Sequence, residues 1–257
     1  MTKFDRIAEK LAGSWEQRPN YETLGGDLAL TSIAEAYEAQ VVVQQAYAAK
    51  RGAIVGRKIA LAAKAMQEFV GIDHPVGGAI FAGDLHDGPA EIKLADFNHL
   101  GLEFELALML GEDIAPLTTH TPESLESRIS SARPAYELIE DRSADYSALD
   151  VKTMIADNAW CGGVVLGPEI AGWRDMDLAA LPAKLRRPGH DDMAGSTAAT
   201  APLNSLAWVL NDLGGRGITV KQGEIVITGS LLTTQFPKAG DSYRFEISGA
   251  AVEMSVT

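Results

Sequence analysis

The chain has 257 residues, enough for one large domain or two small ones, and its 46% hydrophobic and 22% charged content is that of a core-forming rather than a disordered chain. Its 22 Lys and Arg against 35 Asp and Glu give a formal net charge of -13, which excludes a nucleic-acid surface, since neutralising phosphates takes clustered Lys and Arg. The single cysteine, Cys161, excludes an intramolecular disulfide and a thiolate metal cluster within one chain, and fits a reducing cytoplasm.

The chain starts MTKFDRIAEKLAGSWEQR, with acids and a Trp where a signal peptide needs an uninterrupted apolar stretch. No segment approaches the length of a membrane span, so the protein is read as soluble and unexported. Phe4, Ile7, Ala8 and Leu11 fall at helical spacing, and the pattern resumes from Ser32 to Lys50. Thr31 or Ser32 serves as N-cap of that second helix, with Glu35 completing a capping box. The intervening RPNYETLGGDLAL, with its Pro and Gly pair, reads as a loop.

After Gly52 the texture changes to strand-length apolar runs broken by turn residues: AIVGRKIAL, GGAIFAGDL, LEFELALML, PAYELIE, CGGVVLG, EIVITGS and YRFEIS. Helices are expected at Ala63 to Phe69, Pro122 to Ala132 and Leu203 to Leu213. The stretch from Leu181 to Ala201, with prolines, glycines and a basic triplet, reads as a mobile connection. The organisation expected is a helical segment over 1–52 followed by a β-rich α+β domain over 53–257.

Four places are candidates for chemistry. In Leu102-Glu103-Phe104-Glu105-Leu106, strand alternation puts Glu103 and Glu105 on one face and the apolar side chains on the other. Two carboxylates so placed repel unless a cation lies between them, so the pair is either a clamp for a hard divalent ion such as Mg²⁺ or Mn²⁺ or a solvated strand face. Glu137 interrupts the apolar run of Pro134-Ala135-Tyr136-Glu137-Leu138-Ile139, where a buried acid must be protonated, bound to metal or paired, with Arg142 one possible partner. Glu140 and Asp141 read as solvated residues at the strand end. Lys58, in another apolar run, would need an anionic partner if it faces inward; there it would bind a substrate carboxylate or, with a depressed pKa, move protons. Otherwise it is a surface lysine. The bend Thr228-Gly229-Ser230 offers N–H groups and a hydroxyl to an anion. The five histidines lack zinc-site spacing, and no serine-hydrolase elbow, phosphate loop or dinucleotide fingerprint occurs. Cys161 reads as a buried small hydrophobe.

The ordered set Gly56-Arg57-Lys58, Ala65-Met66-Gln67, Gly71-Ile72-Asp73, Glu103-Phe104-Glu105, Pro134-Ala135-Tyr136-Glu137, Ala156-Asp157-Asn158-Ala159, Thr228-Gly229-Ser230 and Gly240-Asp241 resembles the fumarylacetoacetate hydrolase superfamily over nearly the whole chain. Within it the chain is most similar to the branch of 2-keto-4-pentenoate hydratases, 2-oxohept-3-ene-1,7-dioate hydratases and 4-oxalocrotonate decarboxylases. The resemblance implies a mixed β-sheet roll with a preceding helical segment, a homo-oligomer, and Mg²⁺ or Mn²⁺ held by Glu103, Glu105 and Glu137. It also implies a small 2-oxo or 2-hydroxydienoic acid substrate, with Lys58 at the substrate end and Gly229 and Ser230 lining the pocket. The implied activity is a lyase of aromatic-compound catabolism that adds water to a 2-hydroxy-2,4-dienoate to give a 4-hydroxy-2-oxo acid. A decarboxylase on the same scaffold and a noncatalytic metal-binding homologue are the alternatives. The chain lacks the N-terminal His that the hydrolases of the superfamily use, which favours the hydratase and decarboxylase branch. It departs from the hydratase pattern at Val76, where many hydratases carry an acid, at Ala62-Ala63, where a polar pair is usual, and at Thr200-Ala201-Pro202 and Gly249-Ala250-Ala251-Val252.

Overall fold

The computed structural model describes residues 1–257. Helix α1 spans Lys3–Gln17, where the Thr2 hydroxyl accepts from the Asp5 N–H and the Asp5 side chain from the Thr2 N–H; the reciprocal cap starts the helix and Arg18, with left-handed backbone, ends it. Helix α2 spans Ile33–Arg51, with Ser32 accepting from the Glu35 N–H. Ser32 is thus the N-cap, and the Glu35 carboxylate accepts from the N–H and hydroxyl of Thr31 instead of from the Ser32 N–H that the expected capping box requires. The loop between the helices contains one short 3-10 turn, Gly26–Leu28.

Strand β1 (Ile54–Ala60), helix α3 (Lys64–Val70), strands β2 (Val76–Phe81), β3 (Leu85–Asp87) and β4 (Ala90–Ile92), and the long strand β5 (Leu100–Leu110) follow. Helix α4 covers only Pro122–Leu125, and a 3-10 turn at Glu126–Arg128 leads into strand β6, Ile129–Glu140. The helix expected up to Ala132 is therefore cut short. Residues 129–140 pair antiparallel with β5 along its whole length, from Leu110↔Ile129 to Leu100↔Glu140, and this ladder overrides the local helical pattern. Helix α5 (Val151–Ala156), strand β7 (Cys161–Leu166), strands β8 (Pro182–Arg186) and β9 (Met193–Ser196), helix α6 (Pro202–Gly215) and strands β10 (Ile225–Ser230), β11 (Ser242–Ile247) and β12 (Ala250–Val256) complete the chain.

The stretch 181–201, expected as a mobile connection, is instead mostly the β8–β9 hairpin, closed at its base by Leu181 and Thr197, which exchange two hydrogen bonds. Pro182 is tolerated as the first residue of its strand, where the missing N–H costs no interior ladder bond.

The strands form two sheets, β2-β1-β10-β5-β6-β7-β3 and β4-β12-β11-β8-β9. The first mixes parallel pairs, β1 with β10 and β3 with β7, with antiparallel ones, and it curls into a half-barrel. Its main apolar core lies against the second sheet and α6, joining Phe104, Leu106 and Leu138 to Leu206, Leu210 and Phe245. A second core joins Ile7 and Leu11 of α1 and Val43 and Tyr47 of α2 to Phe81 of β2 and Ile155 of α5. The N-terminal helices thus pack directly on the sheet edge and on the segment that leads into β7.

Candidate metal centre and active-site cavity

The β5–β6 ladder creates the acidic cluster. Glu103 stands directly opposite Glu137, and Glu105 lies two residues along on the same face as Glu103. The three present carboxylate oxygens within 4.8 Å of one another. Glu105 and Glu137 are fully buried, so the solvated-face reading of the strand does not apply to the cluster. Burial first, then repulsion among the three acids, pushes the Glu105 carboxyl well above the ordinary range. Glu137 is also raised, by burial and by Glu103, against the opposing pull of Lys58.

Lys58 is 1% exposed, and its ammonium Nζ lies 2.7 Å from Glu137 Oε1 and donates to the Ala159 carbonyl at 3.0 Å. In strand order β10 and β5 separate Lys58 on β1 from Glu137 on β6, three spacings or roughly 14 Å on a flat sheet. The curl brings them into contact across the concave face. Burial works to lower the lysine pKa, but Glu137, Cys161 and Glu103 together outweigh it and raise it. Lys58 is consequently a fixed cation here, not a lysine with depressed pKa. Arg142 is not the partner of Glu137; it pairs with Asp157.

The Ala159 carbonyl is aimed by an unusual turn. Asn158, Ala159 and Trp160 have φ values of 54°, 49° and 59°, three successive non-glycine residues in left-handed conformation. Asn158 pins the turn to β2: its side-chain Oδ1 accepts from the Ala79 N–H at 2.7 Å and from Gln44 Nε2 at 2.9 Å, and Nδ2 donates to the Ala79 carbonyl at 2.9 Å. Gly78 permits the approach, since a Cβ there would meet the Asn158 carbonyl at 2.6 Å and Lys58 Cγ at 3.1 Å.

A cavity of about 510 Å³ opens on this cluster, with Lys58, Glu103, Gly229 and Ser230 in its wall. Gly229 donates its N–H to Glu105 Oε2 at 2.6 Å, and Ser230 Oγ accepts from the Phe104 N–H at 3.0 Å while donating to the Leu232 carbonyl at 2.9 Å. The bend expected to offer these groups to an anion instead spends them on orienting Glu105 and β5. Two wall residues carry buried polar atoms without a partner, Thr200 Oγ1 and Trp160 Nε1. Sequence reasoning noted Thr200 only as a departure from a family pattern; no local signal marks it as a wall residue. Ala62 lines the cavity beside it, whereas Val76 is buried in the helix-side core.

Glu140 and Asp141 are not solvated. Glu140 accepts N–H groups of Asn98, His99 and Arg142, and Asp141 binds His99 Nδ1 at 2.7 Å and the Tyr146 hydroxyl at 2.8 Å, which fixes the far wall. Cys161 is buried beside Glu137, and burial followed by that carboxylate pushes its thiol up to about 12, as an inert core residue requires.

The residues fit a hard divalent cation by the chemistry of the donor set. All three donors are carboxylates; Glu105 Oε1 and Glu137 Oε2 are buried without a partner, and Glu137 Oε1 has only the Lys58 ammonium at 2.7 Å. Residues 62–256 match the family model described as fumarylacetoacetate hydrolase, C-terminal. The chain belongs to this family. It is 32% identical over 247 residues to a 2-keto-4-pentenoate hydratase of Burkholderia vietnamiensis, covering 95% of this chain and 92% of that one. It is 28% identical over 223 residues to a 2-hydroxyhexa-2,4-dienoate hydratase of Comamonas testosteroni, covering 85% and 83%. In fold this family member is similar to 4-oxalocrotonate decarboxylase from Pseudomonas putida G7, solved with magnesium and adipate, at a TM-score of 0.91 and 21% identity over 100% of this chain and 99% of that one. No helix is long and apolar enough to cross a membrane.

Proposed function

We propose that the protein is a divalent-metal-dependent hydratase that converts a 2-hydroxy-2,4-dienoate to a 4-hydroxy-2-oxo acid in the breakdown of aromatic compounds. The observation that carries this reading is the convergence of three carboxylates, two of them with unpartnered buried oxygens, and one charged lysine at the end of a cavity of small-molecule size. The hydratase relatives support it.

Glu103, Glu105 and Glu137 would hold Mg²⁺ or Mn²⁺, and a divalent ion there supplies Lewis-acid stabilisation of negative charge developing on the oxygens of a 2-oxo acid. Lys58 holds the carboxylate end of the substrate by charge, and Thr200 Oγ1 offers a neutral hydrogen bond. Anchored in this way, the dienol ketonises as a proton leaves the C2 hydroxyl and one arrives at C5. Water then adds its hydroxyl at C4 and a proton at C3, which balances the reaction.

The deciding experiment follows 2-hydroxypenta-2,4-dienoate and 2-oxohex-3-enedioate separately by proton NMR with Mg²⁺, each with a chelator control. A chelator-sensitive 4-hydroxy-2-oxo product from the first substrate is expected. Release of CO₂ from the second, with the first unchanged, would move the assignment to a decarboxylase, and metal binding without turnover of either would make the chain a noncatalytic homologue. Lys58→Met is expected to lower kcat/KM for the acid by about 100-fold; wild-type kinetics would remove Lys58 from the site.

A further inference from the structure

The cavity is charged at one end only. Beyond the carboxylate cluster its wall is mainly apolar, including Met66, Ile139, Met154, Trp160 and Phe236, and Lys58 is the one cation that lines it. The nearest other basic side chains are committed: Arg142 to Asp157, Arg51 to Asp84 at 2.6 Å, and His99 to Asp141, with its ring stacked on Phe236 at 4.7 Å. A second substrate carboxylate at this end would find the buried acids Glu140 and Asp141 behind the wall and no free positive charge before it.

The β5–β6 register shows where the rest of the substrate lies. One pleat from the Glu103↔Glu137 pair, roughly 7 Å along the strands, stands the pair Gly101↔Ile139. Gly101 and Ile139 both line the cavity, and a Cβ on Gly101 would stand 3.4 Å from Ile139 and 3.4 Å from Phe236. The absent side chain leaves a shallow trough, one methyl deep, bounded by Ile139, Phe236 and the Thr234 methyl, on the cavity wall beyond the carboxylates. The cavity's 510 Å³ lies within the range of about 300–1,000 Å³ that binds drug-sized ligands, well beyond the needs of five carbons and three oxygens.

We infer that the substrate is a monocarboxylic dienoate whose C5 carries an uncharged apolar substituent larger than methyl, seated in the trough between Gly101, Ile139 and Phe236. This rests on the hydratase reading for the identity of the anchored end, and the geometry of the trough sets the tail.

The test has two readouts. Calorimetry on the Mg²⁺-loaded protein compares 2-oxopentanoate, 2-oxononanoate and 2-oxohexanedioate, none of which can be hydrated. The nine-carbon acid is expected to bind at least about 10-fold more tightly than the five-carbon acid, and the diacid no more tightly than the five-carbon acid. Gly101→Leu should erase the advantage of the long tail, and Gly101→Ala, whose methyl fits at ordinary contact distance, should reduce it. Equal affinities of the two monoacids, or tightest binding of the diacid, would overturn the inference. Rates on 2-hydroxypenta-2,4-dienoate and its C5-butyl homologue form the second readout. Preferred binding of the nine-carbon acid with neither dienoate hydrated would sink the hydratase reading and leave the tail site standing. Hydration of the five-carbon substrate with no long-chain preference in binding would do the reverse.

Discussion

Two buried acids are treated in opposite ways by this fold. Asp157 is wholly buried and fully partnered: Oδ1 accepts from Trp15 Nε1 at 3.0 Å and from the Tyr47 hydroxyl at 2.7 Å, and Oδ2 pairs with Arg142. Glu105 is just as buried, yet it receives one backbone N–H on Oε2, keeps Oε1 unpaired and faces two further carboxylates. The first arrangement ties α1, α2 and the end of β6 to the segment before β7, which is a scaffold's use of a charge. The second leaves a buried carboxyl that must hold its proton or ionise without a partner, a cost the fold carries unless a cation arrives. The contrast separates a structural acid from a functional one on hydrogen-bond accounting alone.

The sharpest way to break this contrast is to neutralise Glu105. Glu105→Gln keeps the shape and removes one ligand charge, so Mn²⁺ affinity and metal-dependent turnover are expected to fall by about 10³-fold. Urea unfolding of the metal-free variant is expected to show stability equal to or above that of the parent, because the amide is neutral at every pH whereas the buried acid must hold its proton against release. Unchanged Mn²⁺ affinity would remove Glu105 from the metal centre, and a large loss of stability would make it structural after all. Asp157→Asn is expected to do the opposite. It leaves the Arg142 charge buried without its acid and should cost about 3 kcal/mol in urea unfolding, while Mn²⁺ affinity stays within a few-fold of the parent.

The acidic cluster was legible in the sequence and the Asp157 cluster was not, for a physical reason. Period-two alternation places Glu103 and Glu105 on one face without knowledge of neighbours, and an acid inside an apolar strand flags Glu137 by its cost. Asp157 meets Trp15 and Tyr47 from more than one hundred positions away, contacts that follow from how the N-terminal helices dock and from no local pattern. Most strands could be located because apolar runs alternate with turn residues. The β8–β9 hairpin was missed because its short polar strands carry Pro and Gly signals that read as a connection. Residues 129–132 went to the wrong class because their partner is a long strand elsewhere in the chain. Lys58 stood open between an inward-facing cation and a surface lysine, because its meeting with Glu137 depends on sheet order and curl, which local pattern does not encode.

A pH series sharpens the same comparison at smaller amplitude. Glu105 and Glu137 keep their protons in the fold above the ordinary carboxylate value of 4.5. Once the pH exceeds that value, the unfolded chain has released protons that the folded chain still binds, so stability falls as pH rises until the folded groups ionise. The slope has an upper bound of about 1.4 kcal/mol per pH unit for each group. Isothermal urea unfolding in chelator is expected to show this decline above about pH 5, and Mn²⁺, which binds the ionised acids, should stabilise most at the alkaline end of the series. In Glu105→Gln the decline should be shallower. Identical slopes with and without Mn²⁺ would deny that the cluster holds the ion.

The smallest expected effect concerns the turn between the two clusters, since Asp157 precedes it and the Ala159 carbonyl at its centre receives Lys58, the partner of Glu137. Ala159 stands at φ 49°, where its methyl costs about 1–2 kcal/mol against a right-handed conformation. Ala159→Gly relieves that cost but gives up a fully buried methyl, worth about 0.8 kcal/mol, and adds freedom to the unfolded chain. The terms nearly cancel, so urea unfolding is expected to move by less than about 1 kcal/mol in either direction. Function should move further than stability, because the carbonyl that holds the lysine is then carried by a more permissive backbone. A few-fold rise in KM for the acid substrate with little change in kcat is the expected result. If KM stays fixed while stability rises by the full relief, the left-handed turn is a strained connection only, and the hold on Lys58 comes from Glu137 alone.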